Sequence, residues 1–255
     1  MPMSWFEYSG SRIYFEEEGA GSPVLLLPGW SESVAEFADL RRTLARSFRV
    51  IAADLPGSGK SGPQPRNYTP AYYDDDARAF LALLKSLDAL PAHLAGFSDG
   101  GEVALVMAAL DPASVRSVAA WGAMGEVCSP PVIQMFGSAM DSQLAPVKAL
   151  ADHLKAMYGE ENARLMCQSA AAAWAELAES GGSISRSRAS SIACPTLLIA
   201  GELDFIVPAT VVASLAGVIP GAQFELMKGA GHVMHVDCGD ALAETVVGFL
   251  RRNER

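Results

Sequence analysis

Short apolar stretches that alternate with helical patterns constrain the fold of this chain most strongly. The apolar stretches are VLLLPG, FRVIAAD, HLAGF, VRSVAAW, TLLIAG and QFELMK, and they follow a hairpin predicted for WFEYSG and RIYFEEEG. The helical patterns cover residues 33–46, 71–87, 101–110, 208–217 and 239–251. Strands that are apolar throughout occur in parallel sheets with helices on both faces. We therefore predict an α/β fold with a mainly parallel, eight-stranded sheet flanked by helices.

One long interval lacks any strand pattern. From about Met124 to Ser190 the sequence predicts only helical pieces, around 144–158 and 160–179. Ligand sites of α/β sheets lie at the carboxyl ends of the strands, where an insertion can cover them. We therefore predict a core formed by residues 1–123 and 191–255, and a helical lid, residues 124–190, inserted after the sixth strand. The alternative is a packed helical subdomain in which methionine fills gaps.

Composition limits the classes of partner. The chain has 255 residues, half of them hydrophobic and 19% charged, and a net charge of −10. This charge argues against nucleic acid or an anionic membrane as a partner. We find no signal-peptide pattern and no apolar run of membrane-spanning length. The widely spaced cysteines, which predict reduced thiols, are Cys128, Cys167, Cys194 and Cys238. We expect a cytoplasmic protein, a monomer or weak homodimer, without a metal or other cofactor.

The stretch DLPGSGKSG contains two patterns of nucleotide-binding proteins. Gly57, Gly59 and Gly62 satisfy GxGxxG, and GKS is the end of a phosphate loop. A phosphate loop, however, needs a glycine five residues before Gly59, where Asp54 stands. The dinucleotide pattern must open a helix, and the three prolines of PQPRNYTP prevent that. We therefore predict a glycine-rich turn and no nucleotide site.

The stretch GFSDGG, residues 96–101, predicts a catalytic nucleophile. It matches GxSxG, with a predicted strand before it and a predicted helix after it. In such an elbow the serine hydroxyl is exposed on a strained turn, and small flanking residues let the strand and the helix approach each other. Ser98 is therefore the predicted nucleophile.

An acid and a histidine follow Ser98 in the order that this kind of elbow requires. TLLIAGELD ends a strand at a loop that contains Asp204, and FELMKGAGH ends the next strand at a loop that contains His232. A serine needs a histidine base, and the base needs an acid that fixes its tautomer. We predict a triad of Ser98, Asp204 and His232. Glu202 and Glu126 are the alternative acids and His235 is the alternative base, whereas His93 and His153 are expected to be structural or exposed.

Two backbone N–H groups are candidates for holding the oxyanion of the reaction. One belongs to Asp99, the residue after the nucleophile, and the other to Trp30, in the loop after VLLLPG. Gly29 permits the turn that this loop needs. The Trp30 side chain can also close the substrate pocket.

The motifs LLLPGW, DLPGSGKSG, GFSDGG, GELDFIVP and GAGH, in this order, resemble the α/β-hydrolase superfamily over essentially the full length. Pro28-Gly29 replaces the His-Gly found in most of that superfamily. With the acid after Ser98, WGA at 121–123 and AMYGEENAR, it makes the chain similar to the valacyclovir hydrolase (biphenyl-hydrolase-like) group. This resemblance implies the same triad, hydrolysis of α-amino-acid esters, and binding of the substrate's α-ammonium by Asp99.

We therefore predict a serine hydrolase that cleaves small carboxylic esters through an acyl-enzyme. The residues predicted to bind substrate are Asp99, Gly29, Trp30, Trp121 and Met124. The alternatives are a general carboxylesterase, a hydrolase of carbon–carbon or amide bonds with the same triad, and a hydrolase-shaped ligand receptor. Haloalkane dehalogenation is excluded because it uses a carboxylate nucleophile where Ser98 stands. For Asp99 the alternative role is in the first turn of a helix, where a carboxylate gains about 0.3–1 kcal/mol from the amide dipoles.

Overall fold

A single sheet of eight strands organises the computed structural model, which describes residues 4–254. The predicted core includes residues 1–3 and 255, which lie outside the described residues. The strands are β1 (Ser4–Tyr8), β2 (Ser11–Glu18), β3 (Pro23–Leu27), β4 (Arg49–Ala53), β5 (Ala92–Phe97), β6 (Val115–Trp121), β7 (Thr196–Gly201) and β8 (Gln223–Met227). Their order is β1-β2-β4-β3-β5-β6-β7-β8, and only the pairings made by β2 are antiparallel. The predicted eight-stranded, mainly parallel sheet is confirmed.

Helices connect the strands much as the sequence predicts. They are α1 (Ala38–Ala45), α2 (Tyr72–Ser86), α3 (Asp99–Leu110), α4 (Pro130–Gly137), α5 (Ala145–Tyr158), α6 (Glu160–Glu179), α7 (Ala209–Ala216), α8 (Met234–Asp237) and α9 (Gly239–Arg252). The short helices α4 and α8 are not predicted, and α3 begins directly after Ser98 rather than at residue 101. Among residues 4–254, no helix combines the length and the apolar character needed to cross a membrane.

The sheet is buried on both faces, which is why its strands read as continuous apolar runs. Along β3 the side chains alternate between two core clusters. Leu25 and Leu27 belong to the cluster that includes α2, α3 and the helices between β6 and β7, whereas Val24 and Leu26 belong to the cluster formed with α1 and α9. All four of these side chains are completely buried.

Three helices, α4 to α6, lie between β6 and β7, the interval in which the lid is predicted. Helices α4 and α5 both pack on α6. On the core side, the Tyr158 hydroxyl donates to the Ser31 carbonyl at 2.6 Å and accepts the Gly59 N–H at 2.7 Å. These helices therefore lie over the loops that follow β3 and β4. The exact bounds 124–190 stay a prediction, and the segment is called the lid segment below.

The glycine-rich stretch after β4 forms a compact turn around a buried carboxylate. Asp54 accepts the N–H groups of Val34 and Lys60, each at 2.7 Å. A Cβ at Gly59, whose φ is +55°, would lie 2.2 Å from Asp54 Oδ2, so only glycine fits there. The next helix is α2, which begins at Tyr72.

Candidate active site

The turn from β5 to α3 exposes Ser98 at the carboxyl edge of the sheet. Ser98 has φ 49° and ψ −118°, a backbone conformation that non-glycine residues rarely adopt. A Cβ at Gly96 would lie 2.3 Å from the Gly100 carbonyl oxygen, and one at Gly100 would lie 2.4 Å from that of Pro28. The glycines two residues before and after Ser98 therefore allow the strand, the helix and the loop after β3 to meet.

Three loops bring Ser98, His232 and Asp204 into contact. His232 Nε2 lies 3.2 Å from Ser98 Oγ, and His232 Nδ1 lies 2.7 Å from Asp204 Oδ2. The other Asp204 oxygen, Oδ1, accepts the N–H groups of Ile206 and Val207 at 2.9 Å each. The Asp204 side chain is completely buried, and 12% of the His232 side chain is exposed. Hydrogen bonds thus connect the buried Asp204 carboxylate through His232 to the Ser98 hydroxyl, which lies on a strained turn.

The two alternative acids contact other groups, and the alternative base, His235, is packed against the rings of Phe37 and Phe97. Glu202 accepts the Gly229 N–H at 2.8 Å, and the Glu126 carboxylate lies 3.1 Å from Arg186 Nε. His235 Nε2 lies 3.7 Å from Glu32 Oε1, and burial lowers the pKa of His235 to about 4. The two remaining histidines are His93, which is buried against Ser117, and His153, which is half-exposed on α5 beside Glu36.

Two backbone N–H groups beside Ser98 have no partner among the described residues. Asp99 is the first residue of α3, where the N–H has no acceptor within the helix. Trp30 lies in the turn after β3, which is closed by the N–H of Glu32 donating to the Gly29 carbonyl at 3.2 Å. The Gly29 N–H donates to Glu32 Oε2 at 3.0 Å. Trp30 in this turn and Asp99 at the start of this helix are therefore available as backbone donors.

Two tyrosines hold the carboxylate of Asp99, a contact that sequence reasoning missed. The hydroxyl of Tyr72 donates to Oδ2 at 2.7 Å and that of Tyr73 donates to Oδ1 at 2.9 Å. Tyr72 in turn accepts the indole N–H of Trp174, on α6, at 2.9 Å. Burial raises the pKa of Asp99 to about 6, and the two hydroxyls act in the opposite direction. Asp99 is therefore ionised at neutral pH although only 7% of it is exposed.

A cavity of about 470 Å³ lies above Ser98 and His232. Its carboxylates are Glu32, Glu36, Asp99, Glu102, Glu126 and Asp237, and within the described part of the chain no lysine or arginine lines it. The lid segment contributes apolar side chains to the same cavity, among them Met135, Phe136 and Trp174. Burial raises the pKa of Glu32 to about 8, so this side chain is mainly protonated at neutral pH. The cavity therefore combines acidic side chains with apolar walls.

Four of the five residues predicted to bind substrate line this cavity, namely Gly29, Trp30, Asp99 and Met124. The fifth, Trp121, does not. It is completely buried at the end of β6, where its ring stacks on Phe97 at a centroid distance of 6.2 Å. The predicted contact between Trp121 and substrate therefore has no counterpart in the structure.

The fold and this arrangement of side chains agree with a family assignment. The model of the alpha/beta hydrolase family matches residues 24–245. The chain therefore belongs to the alpha/beta hydrolase family, and it is an enzyme of the hydrolase class.

Among curated proteins, the chain is similar to the serine hydrolase BPHL of Mus musculus, with 29% identity over 95% of this chain and 84% of that protein. It is also similar to the pimeloyl-[acyl-carrier protein] methyl ester esterase of Chromobacterium violaceum, with 31% identity over 87% of this chain and 91% of that protein. Among solved structures, the enol-lactonase from Burkholderia xenovorans has the same fold. The TM-score is 0.80 at 22% identity, over 97% of this chain and 100% of that one.

Proposed function

We propose that this protein is a serine hydrolase that cleaves small carboxylic esters and favours esters of α-amino acids. The observation that carries the proposal is the run of hydrogen bonds from Asp204 through His232 to Ser98, at 2.7 and 3.2 Å, on the floor of a cavity rich in carboxylates. Family membership supports the hydrolytic part of the proposal. The ester preference rests on the charge and position of Asp99.

The proposed acylation step begins with the tautomer of His232. His232 Nδ1–H donates a hydrogen bond to the Asp204 carboxylate, which leaves Nε2 unprotonated as the acceptor that faces Ser98 Oγ. Nε2 takes the hydroxyl proton while Oγ attacks the ester carbonyl. The tetrahedral intermediate then collapses, the bond to the alcohol oxygen breaks, and His232 gives its proton to the departing alcohol. Ser98 is left as an acyl ester.

The backbone N–H groups of Trp30 and Asp99 are the proposed donors to the oxyanion of each tetrahedral intermediate. Donors of this kind contribute about 3–4 kcal/mol each to stabilising the transition state in acyl transfer. Deacylation repeats the same steps with water. His232 Nε2 takes a proton from water, the hydroxide attacks the acyl carbon, and Ser98 leaves with the proton returned by His232.

The proposed preference for amino esters follows from the Asp99 side chain. An ionised carboxylate has about four acceptor positions, and Tyr72 and Tyr73 use two of them. An α-ammonium can bind at the remaining positions through charge-assisted hydrogen bonds, in an environment where salt screens poorly. Without such a cation, the negative charge beside Ser98 opposes the developing oxyanion. An ammonium on the acyl group removes that cost.

A general carboxylesterase is the second candidate, and one observation favours it. The two tyrosine hydroxyls give Asp99 hydrogen-bond donors without any ligand. On this view, the sole role of the carboxylate is to hold the amino end of α2 against that of α3. In that case the α-amino group of a substrate gains nothing from Asp99.

A matched pair of esters separates the two candidates. We would measure kcat/KM for L-leucine ethyl ester and for ethyl 4-methylpentanoate, which lacks only the α-amino group. The proposal predicts at least about a 30-fold higher value for the amino ester, the low end of what a shielded charge pair contributes. Equal values would identify a general carboxylesterase. Purified Ser98→Ala provides the background, and undiminished turnover by it would overturn the serine mechanism itself.

A further inference from the structure

The lid segment is joined to the core by a narrow neck in which two stretches of chain run antiparallel. We call residues 123–127 and 182–186 the neck. The N–H of Val127 donates to the Gly182 carbonyl at 2.9 Å. The carbonyl of Gly125 accepts the N–H groups of three successive residues, 184–186, at 2.9, 3.1 and 3.0 Å. The outgoing and returning chains are therefore hydrogen-bonded to each other.

A buried carboxylate on the nucleophile's helix contacts both stretches of the neck. Glu102 lies one turn after Ser98 on α3, and its N–H donates to the Ser98 carbonyl at 2.9 Å. Its Oε1 accepts the N–H groups of Met124 and Gly125 at 2.8 and 2.7 Å, and its Oε2 accepts the Ser185 hydroxyl at 3.1 Å. Glu102 is 4% exposed. Burial raises the pKa of Glu102 to about 7, and the three donors act in the opposite direction.

The neck and Cys128, the residue after its first stretch, form one wall of the cavity. The lining residues from this region are Met124, Glu126, Val127, Cys128 and Ile184. The Glu126 carboxylate contacts Arg186, which also belongs to the neck and whose guanidinium donates to the Ser214 hydroxyl on α7 at 2.8 Å. The position of this wall relative to Ser98 therefore depends on the attachment of the neck to α7 and to α3, and the side-chain hydrogen bonds to α3 converge on the Glu102 carboxylate.

We propose that Glu102 is a positioning residue that holds the neck against the nucleophile's helix and thereby sets the length of acyl chain accepted beside Ser98. The proposal rests on the cavity above Ser98 being the substrate site, but it does not depend on the preference for amino esters. It requires the reach of the side chain and its acceptor oxygens rather than its charge. Glutamine meets the same requirement, because its Oε1 can accept both N–H groups while its Nε2 donates to Ser185 Oγ. Aspartate is one methylene too short.

The test compares Glu102→Asp, Glu102→Ala and Glu102→Gln on two p-nitrophenyl esters, the acetate and the hexanoate. We expect KM for the hexanoate to rise about tenfold in the Asp and Ala variants, because the apolar wall no longer closes on the longer chain. KM for the acetate and both kcat values should change less than about threefold. Glu102→Gln should restore the wild-type KM ratio. A merely structural role does not move KM on one ester alone.

Two further measurements keep the test decisive. If Glu102→Ala does not fold, the test uses Glu102→Asp and Ser185→Ala instead. For Ser185→Ala we expect about a threefold rise in KM for the hexanoate. Ser117→Ala, which removes a buried hydrogen bond to His93 far from the cavity, controls for lost stability and should lower Tm without changing either KM. An unchanged KM ratio in Glu102→Asp would overturn the proposal, and so would an equal defect in Glu102→Gln.

Labelling of Ser98 by an ethyl and by a hexyl fluorophosphonate gives a second readout that needs no turnover. The ratio of the two labelling rates should shift about tenfold in Glu102→Asp, in parallel with KM. If wild type hydrolyses neither ester, the proposed function fails while this ratio still tests Glu102. If wild type hydrolyses both esters and the ratio of labelling rates is the same in Glu102→Asp as in wild type, the proposed role of Glu102 fails but the proposed function does not.

Discussion

The edge of the sheet and the lid segment form opposite sides of one cavity, but they are built differently. At the sheet edge, loops after β5, β7 and β8 present polar side chains whose partners are fixed by hydrogen bonds, as the buried Asp204 shows. The lid segment contributes mainly apolar side chains, among them Phe136, Val147 and Leu150. We infer that the edge performs the chemistry on every ester, whereas the lid and its attachments decide which esters are accepted.

The largest effect is expected at the sheet edge, for Asp204→Asn. Asparagine keeps an acceptor for Ile206 and Val207 but turns its NH₂ toward His232 Nδ1, which favours the tautomer with the proton on Nε2. That tautomer cannot take the Ser98 proton, so kcat should fall about 10⁴-fold on amino and des-amino esters alike. Glu202→Gln, in the same loop, is the matched control and should change kcat less than about threefold. More than a tenth of wild-type kcat in Asp204→Asn would contradict the proposed triad.

A smaller and selective effect is expected for Asp99→Asn. The amide can accept from one tyrosine hydroxyl and donate to the other, so the local packing is kept while the charge is lost. We expect kcat/KM for L-leucine ethyl ester to fall by about 30-fold to several thousand-fold. The value for the des-amino ester should not fall and should rise, because the variant no longer has the negative charge that opposes the oxyanion when the substrate carries no cation. An equal fall in kcat/KM on both esters would mean that Asp99 supports the fold or the oxyanion site. Asp99 would then have no separate role in selecting amino esters.

The pH dependence of the same selectivity should be about tenfold. The pKa of Asp99 is raised to about 6 by burial, so the carboxylate loses its charge as the pH falls from 7 to 5. At pH 5 only about a tenth of it remains ionised, whereas the α-ammonium stays charged throughout this range. The ratio of kcat/KM for the amino ester to that for the des-amino ester should therefore fall about tenfold. A pH effect on the catalytic steps that both esters share cancels in the ratio. In Asp99→Asn the ratio should be flat with pH, and a flat ratio in wild type would argue against an ionised Asp99 as the ammonium site.

The sheet edge could be predicted from the sequence because its signals are local. A glycine-flanked serine between a strand and a helix, and an acid and a histidine at later strand exits, lie within short stretches of chain. Trp121 shows the limit of that reasoning. The period of two along β6 puts Trp121 on the face of Ala119, toward Phe37, and away from the cavity that its position at a strand end suggests.

The partners of the carboxylates could not be predicted, because they come from distant parts of the chain. Tyr72 and Tyr73 lie 27 and 26 residues before Asp99, and nothing in AYYDDDARAF indicates a contact with it. For Glu102 the sequence gives a weak signal. It is a single acid in the otherwise apolar EVALVMAAL, so it must be buried and needs hydrogen-bond donors, but the sequence does not say which. Helix α4 was missed because PPVIQMFG begins with two prolines, although proline is tolerated in the first turn of a helix.

The smallest effect is expected where the lid segment reaches the sheet edge, at Trp174. Its indole N–H donates to the Tyr72 hydroxyl, which donates to Asp99, so this contact links α6 to the carboxylate beside Ser98. Trp174→Phe keeps an aromatic ring against Trp30 and Phe136 but removes the donor.

Loss of that one neutral hydrogen bond costs about 1 kcal/mol, which corresponds to about a fivefold drop in the ratio of kcat/KM for the amino and des-amino esters. Trp5→Phe, on β1 and packed against Tyr14, is the matched control and should leave the ratio unchanged. An equal fall on both esters in Trp174→Phe would mean that Trp174 only packs the cavity wall. A kcat/KM that falls only for the amino ester would mean that the lid segment affects substrate selection through Asp99, so that the two sides of the cavity are coupled at this one carboxylate.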